Sequence, residues 1–245
     1  MGIFREKREL EKLEPDDVRD LKPEEIAILH NECLHVILSK YPNEFGKIIT
    51  SDNLISEADL FSAFLIERLP DAKCSVLNAK VSVEKKLKEY GNNDKNKSLF
   101  ILSVFSFDSF KKELEKSCFS VRLIEDMCLF HKYILEGEDG IGKASEQWEK
   151  MLKTEYNTLD SYAVACMDAI GAASLEFWEE HKMISKVAGS CPPNGLTCNE
   201  WQAICDGLGG AIGTIFGGIG GALTGALFSF AVARECVDCG TLQPA

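Results

Sequence analysis

Residues 207–233 read GLGGAIGTIFGGIGGALTGALFSFAVA, 27 residues without a charge, and the rest of the chain is read outward from them. Nine of the 19 glycines fall in this stretch. Gly209, Gly213, Gly217, Gly221 and Gly225 are spaced by four, and Ser229 and Ala233 continue the row. A second row, Gly210, Thr214, Gly218 and Ala222, runs beside it, with Ile212, Ile215, Phe216, Ile219, Leu223, Leu227, Phe228 and Phe230 between. Small residues at i and i+4 let helix backbones touch. The pattern predicts a close-packed apolar helix or helical hairpin.

Magnitudes limit where such a segment can reside. Nine glycines cost a helix about 9 kcal/mol against alanine, which a lone helix in water does not bear. Lipid makes helix obligatory, because the backbone has no water to turn to. One continuous helix would be roughly 40 Å long, enough to cross a ~30 Å hydrocarbon core. A hairpin turning at Gly217 and Gly218 would have arms of roughly 20 Å, too short to span but able to bury inside a protein. Insertion of the large apolar side chains is worth about 3 to 6 kcal/mol. That is marginal, so self-association along the small-residue row is expected to supply the remainder.

The flanks carry thiols. Cys191, Cys198 and Cys205 precede the segment at spacings of seven, and Cys236 and Cys239 follow it. One reading is a disulfide clamp formed after export, with Cys205 and Cys236 bracketing a hairpin. Reduced thiols are a second reading and zinc a third, although spacings of seven are not those of zinc ligands. No cofactor or metal is expected.

The chain of 245 residues carries a formal charge of −12 and a sequence pI near 4.9. An acidic balance without a basic stripe argues against nucleic acid and against a polybasic membrane tether. Composition shifts near Gly189, where Cys191-Pro192-Pro193-Asn194-Gly195 punctuates the chain. The expected organisation is a soluble helical domain, 1–190, followed by a Cys-flanked glycine-rich apolar segment, 191–245. Met1 to Asp20 is charged and lacks an apolar h-region, so synthesis in the cytoplasm without an N-terminal signal peptide is expected. The C-terminal segment is then expected to be membrane-associated or exported.

Helical periodicity dominates residues 1–190, and the fold class expected is all-α, a bundle of six or seven helices. Pro23-Glu24-Glu25 starts one helix with Ile26, Leu29, Cys33 and Ile37 in its stripe. Ser56 starts a second, stopped by Pro70. Others are read at Lys73–Tyr90, Ser109–Leu135, Lys143–Lys153 and Leu159–Lys186, and the apolar run Leu99–Phe107 is also read as helix. The small residues Ala163, Ala165, Ala169, Gly171, Ala172 and Ala173 offer a face able to dock on the glycine ladder.

Chemistry-bearing motifs are weak. Gly137 to Ala144 matches G-x-x-x-x-G-K up to Lys143, but Ala144 stands where a magnesium-binding hydroxyl belongs, and no strand precedes it. An interhelix turn is the expectation. His30 and Cys33 share a helical face while His35 points elsewhere, and nothing nearby completes four ligands. Cys74, Cys118, Cys128 and Cys166 sit among apolar residues with no histidine signature, the setting of inert thiols. No catalytic residue is identified, and the chain is read as not an enzyme.

The ladder from Gly209 to Gly225 resembles the glycine-zipper segments of pore-forming peptides, of two-peptide bacteriocins and of small bacterial envelope proteins. The layout, a soluble helical part followed by a Cys-flanked apolar peptide, is similar to some bacteriocin precursors whose N-terminal part protects the producer. The resemblance covers residues 191–239 only. It implies a toxin-like precursor whose helical domain masks a membrane-active peptide, with the lipid bilayer and other copies of the ladder as partners, and a processing protease or exporter. Two alternatives stay open: a tail-anchored membrane protein with a cytosolic interaction domain, and a soluble all-α protein with a glycine-rich core hairpin.

Overall fold

The computed structural model describes residues 21–40, 51–89, 107–181, 196–214 and 218–238. Among them are nine helices and no strand, so the chain is all-α. In order these are α1 (Pro23–Lys40), α2 (Ser51–Arg68), α3 (Lys73–Glu89), α4 (Phe107–Glu115), α5 (Val121–Leu135), α6 (Glu138–Lys153), α7 (Thr158–Glu180), α8 (Cys198–Gly213) and α9 (Gly218–Asp238).

Local chemistry sets the boundaries. Pro70 cannot continue α2 and opens a short 3-10 turn, Pro70–Ala72, that leads directly into α3. The stretch Ser109–Leu135, expected as one helix, is divided between α4 and α5. Ser117 donates its hydroxyl to the Leu114 carbonyl and accepts from the Phe119 amide, offering the backbone an alternative to helix. Ser120 then accepts from the Leu123 amide and caps α5. Asn157 caps α7 through the Asp160 amide, and Thr197 with Glu200 forms a capping box on α8. Gly137, with φ of 70°, makes the turn between α5 and α6. The phosphate-loop match from Gly137 is therefore a helix-to-helix turn, since Glu138 to Ala144 is already in α6. The apolar run at 99–106 lies outside the described residues.

Helices α8 and α9 occupy the middle of the bundle. They pack most closely on each other, with α7 against α8 and with α1, α2 and α3 against α9. Helices α4, α5 and α6 pack among themselves at the edge, α6 touching α7. One hydrophobic core includes Ile26, Leu34, Phe61, Val83, Ile170 and Trp178 together with Trp201, Leu208, Leu223 and Phe228. Side chains from both sides of the compositional boundary thus share it. No described helix is long and apolar enough to cross a membrane. The continuous span weighed for residues 207–233 is not what this fold contains, because helix α8 ends at Gly213 and α9 begins at Gly218.

Candidate functional site

The small-residue rows meet each other inside the molecule. A Cβ on Gly221 would lie 3.1 Å from the Gly210 carbonyl oxygen, and one on Gly225 would lie 3.2 Å from that of Asp206. The Gln202 Nε2 donates to the Ser229 carbonyl at 2.7 Å. Residue numbers fall along α8 as they rise along α9, so the two helices are antiparallel. A Cβ on Gly213 would collide with the backbone of Gly220, so the helices touch main chain to main chain there. Gly209 holds a place for the Phe228 ring. Each of these glycines costs helix stability, about 1 kcal/mol, and allows an approach that a Cβ forbids.

Helix α7 uses the same device on the other face. A Cβ on Gly207 would lie 2.7 Å from the Met167 carbonyl oxygen and 3.6 Å from the Gly171 Cα. Of the small residues singled out on α7, Gly171 faces α8 at Gly207, and Ile170 packs over Gly210.

At the centre of this apolar packing sits a polar cluster. Asp206 is fully buried, and its Oδ2 accepts from the Ser174 hydroxyl of α7 and, at 2.7 Å, from the Ser229 hydroxyl of α9. The Trp178 Nε1 donates to the Ser229 oxygen at 3.2 Å. His30 of α1, also fully buried, places its Nε2 3.7 Å from Asp206 Oδ2. Its Nδ1 lies 2.9 Å from the Asn31 Oδ1, while Asn31 Nδ2 donates to the Ala173 carbonyl of α7. Asn31 thus presents its carbonyl to the imidazole and holds the ring proton on Nδ1. Four helices, α1, α7, α8 and α9, converge on these groups.

Burial governs their charge. It pushes the Asp206 carboxyl up to about 8, against the pull of the Ser174, Ser229 and Trp178 donors. It pushes His30 down to about 4, with Asn31 and the Gly225 carbonyl pulling the other way. At neutral pH both groups are therefore mainly uncharged. Among the described residues, the Asp206 Oδ1 and Gln202 Oε1 have no hydrogen-bond partner. The Ser174 and Ser229 hydroxyls donate to the Asp206 carboxyl, which ties α7 and α9 to α8.

The residues singled out from sequence distribute as follows. Gly209, Gly213, Gly221, Gly225 and Ser229 lie along the α8–α9 contact. Gly217 lies outside the described residues, as does the side chain of Ala233. Of the clamp cysteines, Cys198 and Cys205 are buried, and Cys205 is a free thiol. That corrects the expected Cys205–Cys236 clamp, which this structure does not form, and burial pushes the Cys205 thiol well above its usual range. Cys191 and Cys239 lie outside the described residues, and so does the Cys236 side chain. His30 and Cys33 are both buried in the core, and the described residues hold no set of three His, Cys, Asp or Glu placed for a metal ion.

Comparison with known protein families, curated proteins and solved structures finds no match. The cluster therefore stands on its own geometry. Read from sequence, Asp206 is a charge bordering the apolar stretch, and His30 is weighed with Cys33 as a metal pair and set aside because nothing completes four ligands. A signal was present: Asp206 precedes the row Gly210, Thr214, Gly218 and Ala222 by four residues, which puts it on the small-residue face.

Proposed function

We propose that this chain is a non-enzymatic precursor whose outer helices mask a membrane-active α8–α9 segment. The observation that carries the reading is burial on every side. All described side chains from Trp201 to Thr214 and from Ile219 to Ser229 are buried, so these parts of the helix pair present no polar side chain to solvent. A helix apolar all round belongs in a core or in a membrane, and the same surface serves both. Released from α1, α2, α3 and α7, an uncharged stretch of 27 residues is expected to insert and to self-associate through its glycine-zipper rows.

The test is dye release from lipid vesicles. The reading expects leakage from a 191–245 peptide and little from the intact chain. Equal leakage from both would remove the masking role.

One observation favours a second reading, a soluble protein with a permanent glycine-rich core. The hydrogen bonds that join Asp206 to Ser174 and Ser229, and Gln202 to Ser229, hold the pair to itself and to α7. Breaking such buried bonds costs about 1 to 3 kcal/mol for each group left unsatisfied. Leakage from neither the peptide nor the intact chain would select this reading.

A further inference from the structure

Helix α3 departs from the acidic character of the chain. Lys73, Lys80, Lys85, Lys86 and Lys88 stand in it against Glu84 and Glu89, and it is the one helix among the described residues with a net positive charge. Val76, Ala79 and Val83 on its inner side are buried, and the helix packs on α2 and on α9. Lys80, at the border of that side, is engaged by Asp59 at 2.6 Å and Glu84 at 2.9 Å.

The outer face is unusual in a different way. Leu77 is 39% exposed and Val81 62%, and the two are four residues apart, hence neighbours on one helical face. Lys73, Cys74 and Lys85 are exposed around them. Exposed aliphatic side chains set among lysines suit the boundary of an anionic bilayer, where the apolar groups enter the acyl region and the ammonium groups stay with the phosphates.

We propose that this face of α3 is the docking surface of the protein on an anionic lipid membrane. The other described helices are neutral or acidic in a chain of net charge −12, so α3 selects the orientation on such a surface. Because α3 packs directly on α9, that orientation turns the cover of the apolar segment toward the bilayer. Two aliphatic side chains and a few lysines make the docking reversible and salt-sensitive. The inference rests on the membrane-active reading above and names its first contact with lipid.

Flotation of the full chain with vesicles tests it. Binding is expected to phosphatidylcholine vesicles containing phosphatidylglycerol, to weaken in high salt, and to be absent on phosphatidylcholine alone. The exposed double variants Leu77→Ser with Val81→Ser, and Lys73→Glu with Lys85→Glu, should each lower the partition coefficient about ten-fold with an unchanged circular dichroism spectrum. Equal flotation with both vesicle types, no flotation with either, or binding insensitive to both variants would overturn the assignment. Dye release reads the masked segment separately. Docking by α3 without leakage from the 191–245 peptide removes the masking reading and leaves the docking face standing; leakage with variant-insensitive flotation does the reverse.

Discussion

The His30 imidazole and the Asp206 carboxyl, 176 residues apart in the chain, lie side by side in the core with Nε2 and Oδ2 3.7 Å apart, both fully buried. The separation exceeds a hydrogen bond. Burial displaces both from their ordinary titration ranges in opposite directions, so the pair is stored as neutral acid beside neutral base.

Opposite shifts give a distinctive pH dependence. Asp206 folded near 8, against 3.8 unfolded, contributes stability that is fully present below 3.8 and is lost as pH rises toward 8. His30 folded near 4, against 6.5 unfolded, contributes nothing unfavourable above 6.5 and destabilises as pH falls toward 4. Between about 4 and 6.5 the two slopes cancel, and between 6.5 and 8 Asp206 alone lowers stability, by about 2 kcal/mol. Urea denaturation across this range should show the fall in the parent chain and its loss in Asp206→Asn. His30→Gln should start the decline near pH 4. A parent-minus-Asp206→Asn difference that stays constant from pH 4 to 8 would show that Asp206 is not displaced.

Two glycine substitutions should move stability in opposite directions. Gly213→Ala places a Cβ against the Gly220 and Gly221 backbone, which cannot swing aside as a side chain can, and should cost about 1 to 3 kcal/mol. Gly142→Ala, in α6 with nothing within 4 Å of the new Cβ, should gain about 0.5 to 1 kcal/mol from helix propensity. Thermal melts of the two variants decide it, and a stabilised Gly213→Ala would mean the α8–α9 approach is looser than described.

Thiol reactivity should follow burial. Cys74 and Cys118 are exposed, whereas Cys33, Cys166 and Cys205 are buried with thiols raised by desolvation, Cys166 to about 12. A short iodoacetamide pulse on the folded chain, followed by peptide mapping, should label Cys74 and Cys118 and spare the other three until denaturant is added. Early labelling of Cys205 would place α8 at the surface.

Thr197→Ala removes one half of the capping box that starts α8, whose partner Glu200 receives the Thr197 amide at 2.8 Å. The expected loss is about 1 kcal/mol. Its site is exposed and distant from the Asp206 cluster, so the pH profile should keep its shape while its height falls; a changed shape would tie the cap to the buried pair.

Periodicity, caps and breakers by themselves determined that the chain is helical, that Pro70 ends one helix, and that residues 207–233 must be shielded from water. These signals are local: a 3.6-residue stripe, a proline without an N–H, and an uncharged run are complete within a few turns of chain. The division at Ser117 to Ser120 was missed because hydroxyls competing for backbone groups leave apolar periodicity intact. What the glycine rows touch was decided by tertiary structure alone, since a row spaced by four is equally suited to another copy, to lipid-embedded neighbours, or to its own second half. Here Gly210 faces Gly221 and Asp206 faces Gly225 within one chain. The acid–base pair is tertiary in the same sense: burial and neighbours set a titration range, and only the convergence of α1, α7, α8 and α9 brings His30, Ser174, Asp206 and Ser229 out of water together.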